Sequence, residues 1–168
     1  MSDSFISIFE FNDQSEIDCF YPIDDRVMGG VSSSALISSE NSTAKFSGTV
    51  SFENSGGFAS VRAALNCPVL SDARGITLRI QGDGKRYRLR LFNSLGFDSV
   101  AYEAPFVSSS EGWIELELPF SSFNAVWRGK PINNARAFDK DRICALGLMI
   151  SEKQVGVFRL CLDWIRTY

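Results

Sequence analysis

The densest local chemistry in the chain is the stretch DDRVMGGVSSS, residues 24–34, in which Asp24, Asp25 and Arg26 precede Val27, Met28, Gly29, Gly30, Val31 and three serines. Two neighbouring carboxylates are the first place to look for general acid–base work, which needs a pair of carboxyl groups facing one substrate atom. In extended chain, adjacent side chains point to opposite sides, so Asp24 and Asp25 are poorly placed to flank such an atom. The sequence holds no histidine. That removes the usual general base, the Ser-His-Asp and Cys-His arrangements, and every zinc site that uses imidazole. Asp24, Asp25, Asp139 and Asp141 show none of the spacing of a calcium loop. The residues therefore predict no catalysis, no cofactor and no metal.

Glycine pairs accompany this chemistry. A phosphate cradle needs its glycines between a buried parallel strand and a helix, and neither Gly29-Gly30 nor the GDG at residues 82–84 has that setting. GDG reads as a hairpin turn. For DDRVMGGVSSS two readings compete. In one, Gly-Gly forms a tight corner, Val27 and Val31 anchor it, and Asp24 or Asp25 accepts backbone N–H groups. In the other, Gly29 and Gly30 allow close approach of a partner, Met28 adds a polarizable contact and Arg26 a forked donor. ENSGGFASVR poses the same choice: Gly56 and Gly57 turn the chain, Phe58 is predicted buried, and Arg62 pairs with an acidic loop residue or faces a partner.

The elements that must position these loops are strands. GITLRIQG sets Ile76, Leu78 and Ile80 against Thr77, Arg79 and Gln81, and KRYRLRLF sets Tyr87, Leu89 and Leu91 against Arg86, Arg88 and Arg90. WIELELPF opposes Ile114, Leu116 and Leu118 to Glu115 and Glu117; FRLCLDWI opposes Phe158, Leu160, Leu162 and Trp164 to Arg159, Cys161 and Asp163. AKFSGTVSF alternates likewise, and FASVRAAL after the turn ENSGG predicts a hairpin between the two. No segment carries a capped 3.6-residue apolar stripe. Short strands and polar turns together predict an all-β fold of two packed antiparallel sheets, a sandwich or jelly roll. Were the strand of Arg86, Arg88 and Arg90 to lie near Arg79 or near Glu115 and Glu117, one exposed face would carry rows of charge, and four arginines would make a local basic field.

At 168 residues, 45% hydrophobic and 22% charged, the chain supports one core, so residues 1–168 read as a single domain. A formal net charge of -3 argues against nucleic acid. No apolar run approaches the roughly 20 residues of a membrane span, and MSDSFISIFEF lacks the basic start of a secretion signal. These features predict a soluble chain that is not exported. Cys19, Cys67, Cys144 and Cys161 form no Cys-x-x-Cys pair and are predicted to be buried free thiols.

DDRVMGGVSSS, FSGTVSFENSGGFASVR, GDGKRYRLRL, LPFSSF with its later RG, and GLMISEKQVGVFRLCLDWI follow one another in an order that resembles the complex I intermediate-associated protein 30 family. The resemblance runs from Asp25 to Ile165. Because mitochondrial members of that family carry a targeting extension, it implies here a bacterial cytoplasmic protein, or an organellar one whose targeting segment has been removed. It implies a galactose-binding-like jelly-roll β-sandwich, and a non-enzymatic, chaperone-like assembly factor that binds intermediates of a membrane energy-conversion complex, respiratory or photosynthetic. The partners implied are subunits or assembly intermediates of that complex, through which alone the protein would meet a membrane. Taken with the local chemistry, it points to a partner-binding surface of Asp25, Arg26, Met28, Gly29 and Gly30, with Gly56, Gly57, Phe58 and Arg62 from the second glycine loop, and Arg128 with Gly129. The alternative for such a fold is a carbohydrate-binding module. Among Trp113, Trp127 and Tyr102, Trp127 in the polar stretch FNAVWRGKPINN is the expected exposed sugar platform.

Overall fold

The computed structural model describes residues 5–25, 29–66, 69–96, 98–135 and 138–168. In chain order its strands are β1 (Ser7–Phe9), β2 (Tyr21–Pro22), β3 (Ser33–Ser39), β4 (Thr43–Val50), β5 (Ala59–Ala64), β6 (Gly75–Gln81), β7 (Arg86–Phe92), β8 (Ala101–Val107), β9 (Ile114–Pro119), β10 (Asn124–Trp127), β11 (Lys130–Pro131), β12 (Ala145–Ile150) and β13 (Gly156–Thr167). Among the described residues one sheet runs β3-β4-β13-β6-β9, with β1 added along β13, and the other runs β11-β10-β8-β7-β12-β5-β2. Their pairings are antiparallel. The expected all-β fold of two antiparallel sheets is the fold observed.

Period-two patterning places the core between the sheets. Ile76, Leu78 and Ile80 of β6, and Tyr87, Leu89 and Leu91 of β7, are buried, while their alternate neighbours lie outside. Phe46, Phe158, Tyr87 and Phe106 lock the middle, with the Phe46 and Phe158 rings 5.0 Å apart and those of Tyr87 and Phe106 6.1 Å apart. Such aromatic pairs contribute about 0.5–1.5 kcal/mol each beyond their area.

Five expectations change. β4 and β5 do not form a hairpin: β4 pairs with β3 and β13, whereas β5 pairs with β12 and β2 in the opposite sheet. The GDG turn likewise crosses between sheets, from β6 to β7. Its Asp83 carboxylate accepts from Lys85 N, Arg159 N and the Tyr87 hydroxyl at 3.1, 2.9 and 2.9 Å, which is why a polar residue sits at this corner. Trp164 is not in phase with Leu162, because a bulge between Leu162 and Trp164 shifts the register and turns Ile165 inward instead. The arginine row of β7 lies on one sheet, and Arg79 with Glu115 on the other, so they cannot cover one face. The thiols are also less hidden than expected: Cys19 is exposed and Cys144 and Cys161 are half-buried, all unpaired, while Cys67 lies outside the described residues. One short helix escaped the pattern, α1 (Gln14–Asp18), which follows β1 and is capped by Asp13 accepting from Ser15 N at 2.9 Å.

Candidate functional site

Asp24 and Asp25 sit where β2 hands the chain on toward β3, at the margin of both sheets. Asp25 is fully buried. Its Oδ1 accepts from Ser32 N at 2.9 Å, and its Oδ2 from the Ser32 hydroxyl at 2.5 Å, Gly57 N at 2.7 Å and Phe58 N at 3.4 Å. Asp24 points the other way, as alternation requires, and accepts from Ser34 N at 3.0 Å, the Ser34 hydroxyl at 2.5 Å and Ser60 N at 2.9 Å. Each carboxylate thus ties the approach to β3 in one sheet to the start of β5 in the other. Burial pushes the Asp25 carboxyl up, but the Ser32 hydroxyl and the N–H groups of Gly57, Ser32 and Phe58 outweigh it and hold it below the ordinary aspartate value. Burial leads at Asp24 and keeps its carboxyl raised, with the adjacent Asp25 charge adding to it.

The glycines divide by task. A Cβ on Gly30 or Gly56 would run into the Asp25 carboxylate, so these two are glycine to make room for it. Gly29 (φ 86) meets nothing within 4 Å and is needed for its left-handed backbone alone. Gly57 combines φ 140 with a would-be Cβ contact of 3.0 Å to the Phe52 ring. Two glycine pairs far apart in sequence are therefore parts of one clasp around a single aspartate.

Beside the clasp lies an open depression of about 580 Å³, lined by Phe52, Gly56, Gly57, Phe58, Ser151, Glu152 and Lys153. Phe52 is 45% exposed here. Glu152 and Lys153 both hold left-handed φ values, 62 and 61. From the depression, Glu152 reaches over the outer face of the seven-stranded sheet, accepting from Arg86 Nε at 2.8 Å and Arg88 Nη2 at 2.5 Å. Arg86 and Arg88 bonding lowers the Glu152 carboxyl.

Of the residues expected to meet a partner, the structure joins Asp25, Gly29, Gly30, Gly56, Gly57 and Phe58 in the clasp. Arg26 and Met28 lie outside the described residues. Arg62 faces away from the clasp, buried on the outer face of its sheet, with its guanidinium 3.6 Å above the Phe92 ring. Arg128 and Gly129 lie near the opposite edge, between β10 and β11, where both have positive φ (49 and 76) and form the two-residue turn of a hairpin. Arg128 pairs with Asp98 at 2.7 Å and stacks 4.6 Å from the Trp127 ring centre. Trp127 is exposed as expected, whereas Tyr102 is buried. The sequence reading missed Ser32, Ser34 and Ser60, the clasp's other half; its place two residues beyond Gly30 is the signal that marks Ser32, while Ser34 and Ser60 carried none. Among the described residues no three Cys, Asp or Glu side chains come together to hold a metal, and no helix is long and apolar enough to cross a membrane.

This two-sheet fold defines a class. The structure superposes on a Family 11 carbohydrate-binding module from Clostridium thermocellum with TM-score 0.71 over 97% of this chain and 94% of that one, at 18% identity, and on a Family 30 carbohydrate-binding module with TM-score 0.58 over 98% of each at 14% identity. At such identities the likeness is one of fold. The sequence places the chain more narrowly: residues 9–162 match the complex I intermediate-associated protein 30 family, and the chain belongs to that family. It is 31% identical to an uncharacterized protein of Schizosaccharomyces pombe over 88% of this chain and 76% of the relative. It is 26% identical to the probable mitochondrial complex I intermediate-associated protein 30 of Caenorhabditis elegans and 23% to that protein of Mus musculus, covering 95% and 96% of this chain. The chain spans about half the length of these two, 53% and 55%. The expectation of a bacterial cytoplasmic protein is overturned by these relatives, which are named mitochondrial.

Proposed function

We propose that the chain is a non-enzymatic assembly factor that binds partly built intermediates of a membrane energy-conversion complex, acting in an organelle as its named relatives do. The observation that carries this reading is the family match across residues 9–162, together with relatives named for association with complex I intermediates. The clasp fits such a role. It spends two buried carboxylates and four glycines on joining the approach to β3 with the start of β5, and so sets the backbone beside the Phe52-lined depression. Both carboxylates are occupied by donors from the chain itself, which leaves neither free as a general base.

The test is affinity purification from native cells under conditions that retain membrane-complex intermediates, with mass spectrometry of the bound subunits. Phe52→Ser, at the rim of the depression, is expected to leave the melting temperature nearly unchanged and to lose those subunits. Retention of the full set by Phe52→Ser and by Arg26→Ala would remove the proposed surface. The second reading, a carbohydrate-binding module, is favoured by the exposed Trp127 on a fold of that class. Oligosaccharide binding abolished by Trp127→Ala would establish it.

A further inference from the structure

The outer face of the seven-stranded sheet carries a row of side chains in strict register: Tyr21 on β2, Arg62 on β5, Gly147 on β12, Arg90 on β7 and Glu103 on β8. Gly147, with no side chain, leaves the Phe92 ring to fill the space between the two arginines, whose guanidiniums lie 3.6 and 5.2 Å from its centre. Arg86 and Arg88 extend the positive charge along β7 toward the depression beside the clasp. Among the described residues the ion pairs of these four arginines use only Glu103 and Glu152.

Among the described residues Arg62 has no carboxylate partner, and its hydrogen bond there is a long one, from Nη1 to Gly96 O at 3.4 Å. Arg90, with a side chain 13% exposed, lies 3.3 Å from Glu103 Oε2, yet among the described residues its Nε and that of Arg88 are buried with no hydrogen-bond partner. Burying a guanidinium without a full set of acceptors is unfavourable, and neighbouring aromatic rings only partly offset that. Packing alone would be better served by apolar residues. Arginine at alternate positions of a strand repeats about every 7 Å, the repeat of same-side residues in an extended peptide.

Glu152 shows how that charge is met. It is carried on an exposed turn in left-handed backbone, an unfavourable conformation for a residue with a side chain, and its carboxylate bridges Arg86 and Arg88. We propose that this face is a docking site for an acidic, extended polypeptide segment, whose carboxylates take the place of Glu152 on Arg86 and Arg88 and approach the under-bonded Arg90 and Arg62. The choice of a protein occupant rests on the assembly-factor reading above; the choice of an acidic one rests on charge complementarity alone.

The probe is a fluorescein-labelled hexaglutamate peptide, followed by fluorescence anisotropy against the purified chain at low and at physiological salt. Binding that weakens with salt is expected, with Arg88→Gln loosening it about tenfold or more, the loss of a charge-assisted contact. Glu152→Gln is expected to tighten it by up to about fivefold, because the competing carboxylate is gone. Arg142→Gln, on an exposed arginine paired with Asp139, leaves it unchanged. Glu152 stands on a surface turn, so its variant reports even if Arg88→Gln fails to fold. Equal binding by the parent and Arg88→Gln, no tightening in Glu152→Gln, or displacement of the peptide by an equal concentration of inorganic phosphate would each overturn the proposal. None of these outcomes touches the capture of assembly intermediates, which stands or falls on its own test.

Discussion

Replacing Asp25 by Asn is the sharpest probe of the clasp, because it changes one atom and removes the charge. Asp25 offers two acceptor oxygens to three N–H groups and one hydroxyl. An amide keeps one oxygen and turns an N–H₂ toward the remaining donors. With the amide oxygen toward Gly57 and Phe58, Ser32 N loses its acceptor; flipped, Gly57 N and Phe58 N lose theirs. A buried donor left unsatisfied costs about 1–3 kcal/mol, and the new donor-to-donor approach adds to it, so a loss of roughly 2–5 kcal/mol is expected. For a domain of this size each kcal/mol lowers the melting temperature by about 2–4 °C, which predicts a drop of roughly 4–20 °C. Thermal melting by circular dichroism, paired with urea unfolding, reads it directly. Gly30→Ala should behave similarly because its methyl group would enter the Asp25 carboxylate, whereas Gly29→Ala should cost only about 1 kcal/mol for its positive φ. A drop below about 2 °C for Asp25→Asn, or equal costs at Gly29 and Gly30, would refute the account of the clasp.

Asp25 also predicts a pH dependence. Its folded carboxyl lies below the ordinary value, so its stabilisation is present above about pH 4 and is lost as pH falls through the lower folded value; urea midpoints of the parent, but not of Asp25→Asn, should show that loss. Cys19, exposed, should be alkylated before the half-buried Cys144 and Cys161, and mass spectrometry after brief iodoacetamide treatment would show the order. Arg128→Gly should preserve or slightly raise stability, since the residue sits at φ 49 in a two-residue turn and its pair with Asp98 is exposed; a melting temperature lowered by more than a few degrees would contradict that.

Strands with strict alternation were legible in the sequence, and β6 and β7 have the inward faces that GITLRIQG and KRYRLRLF predict. Which strands pair was not. AKFSGTVSF and FASVRAAL each present one apolar face, and that face serves equally for a hairpin or for two strands facing each other across a core. The bulge that displaces Trp164 leaves every residue type unchanged and alters only the phase, so period two carries straight through it. At the clasp, the readable part was that Asp24 or Asp25 would cap a turn. The hidden part was that Gly56 is glycine because of a carboxylate from another segment, a reason visible only once the loops are side by side.

The clasp has a consequence for aggregation. β2 and β3 are terminal strands of their sheets, and such strands offer unpaired N–H and C=O groups to any passing chain. Asp24 and Asp25 stitch the two margins together, so on this side the sandwich ends in a closed seam. Loss of the seam would free two strand edges at once, each a template for pairing with another molecule. Variants of Asp25 that still fold are therefore expected to form intermolecular β-structure well below their melting temperature.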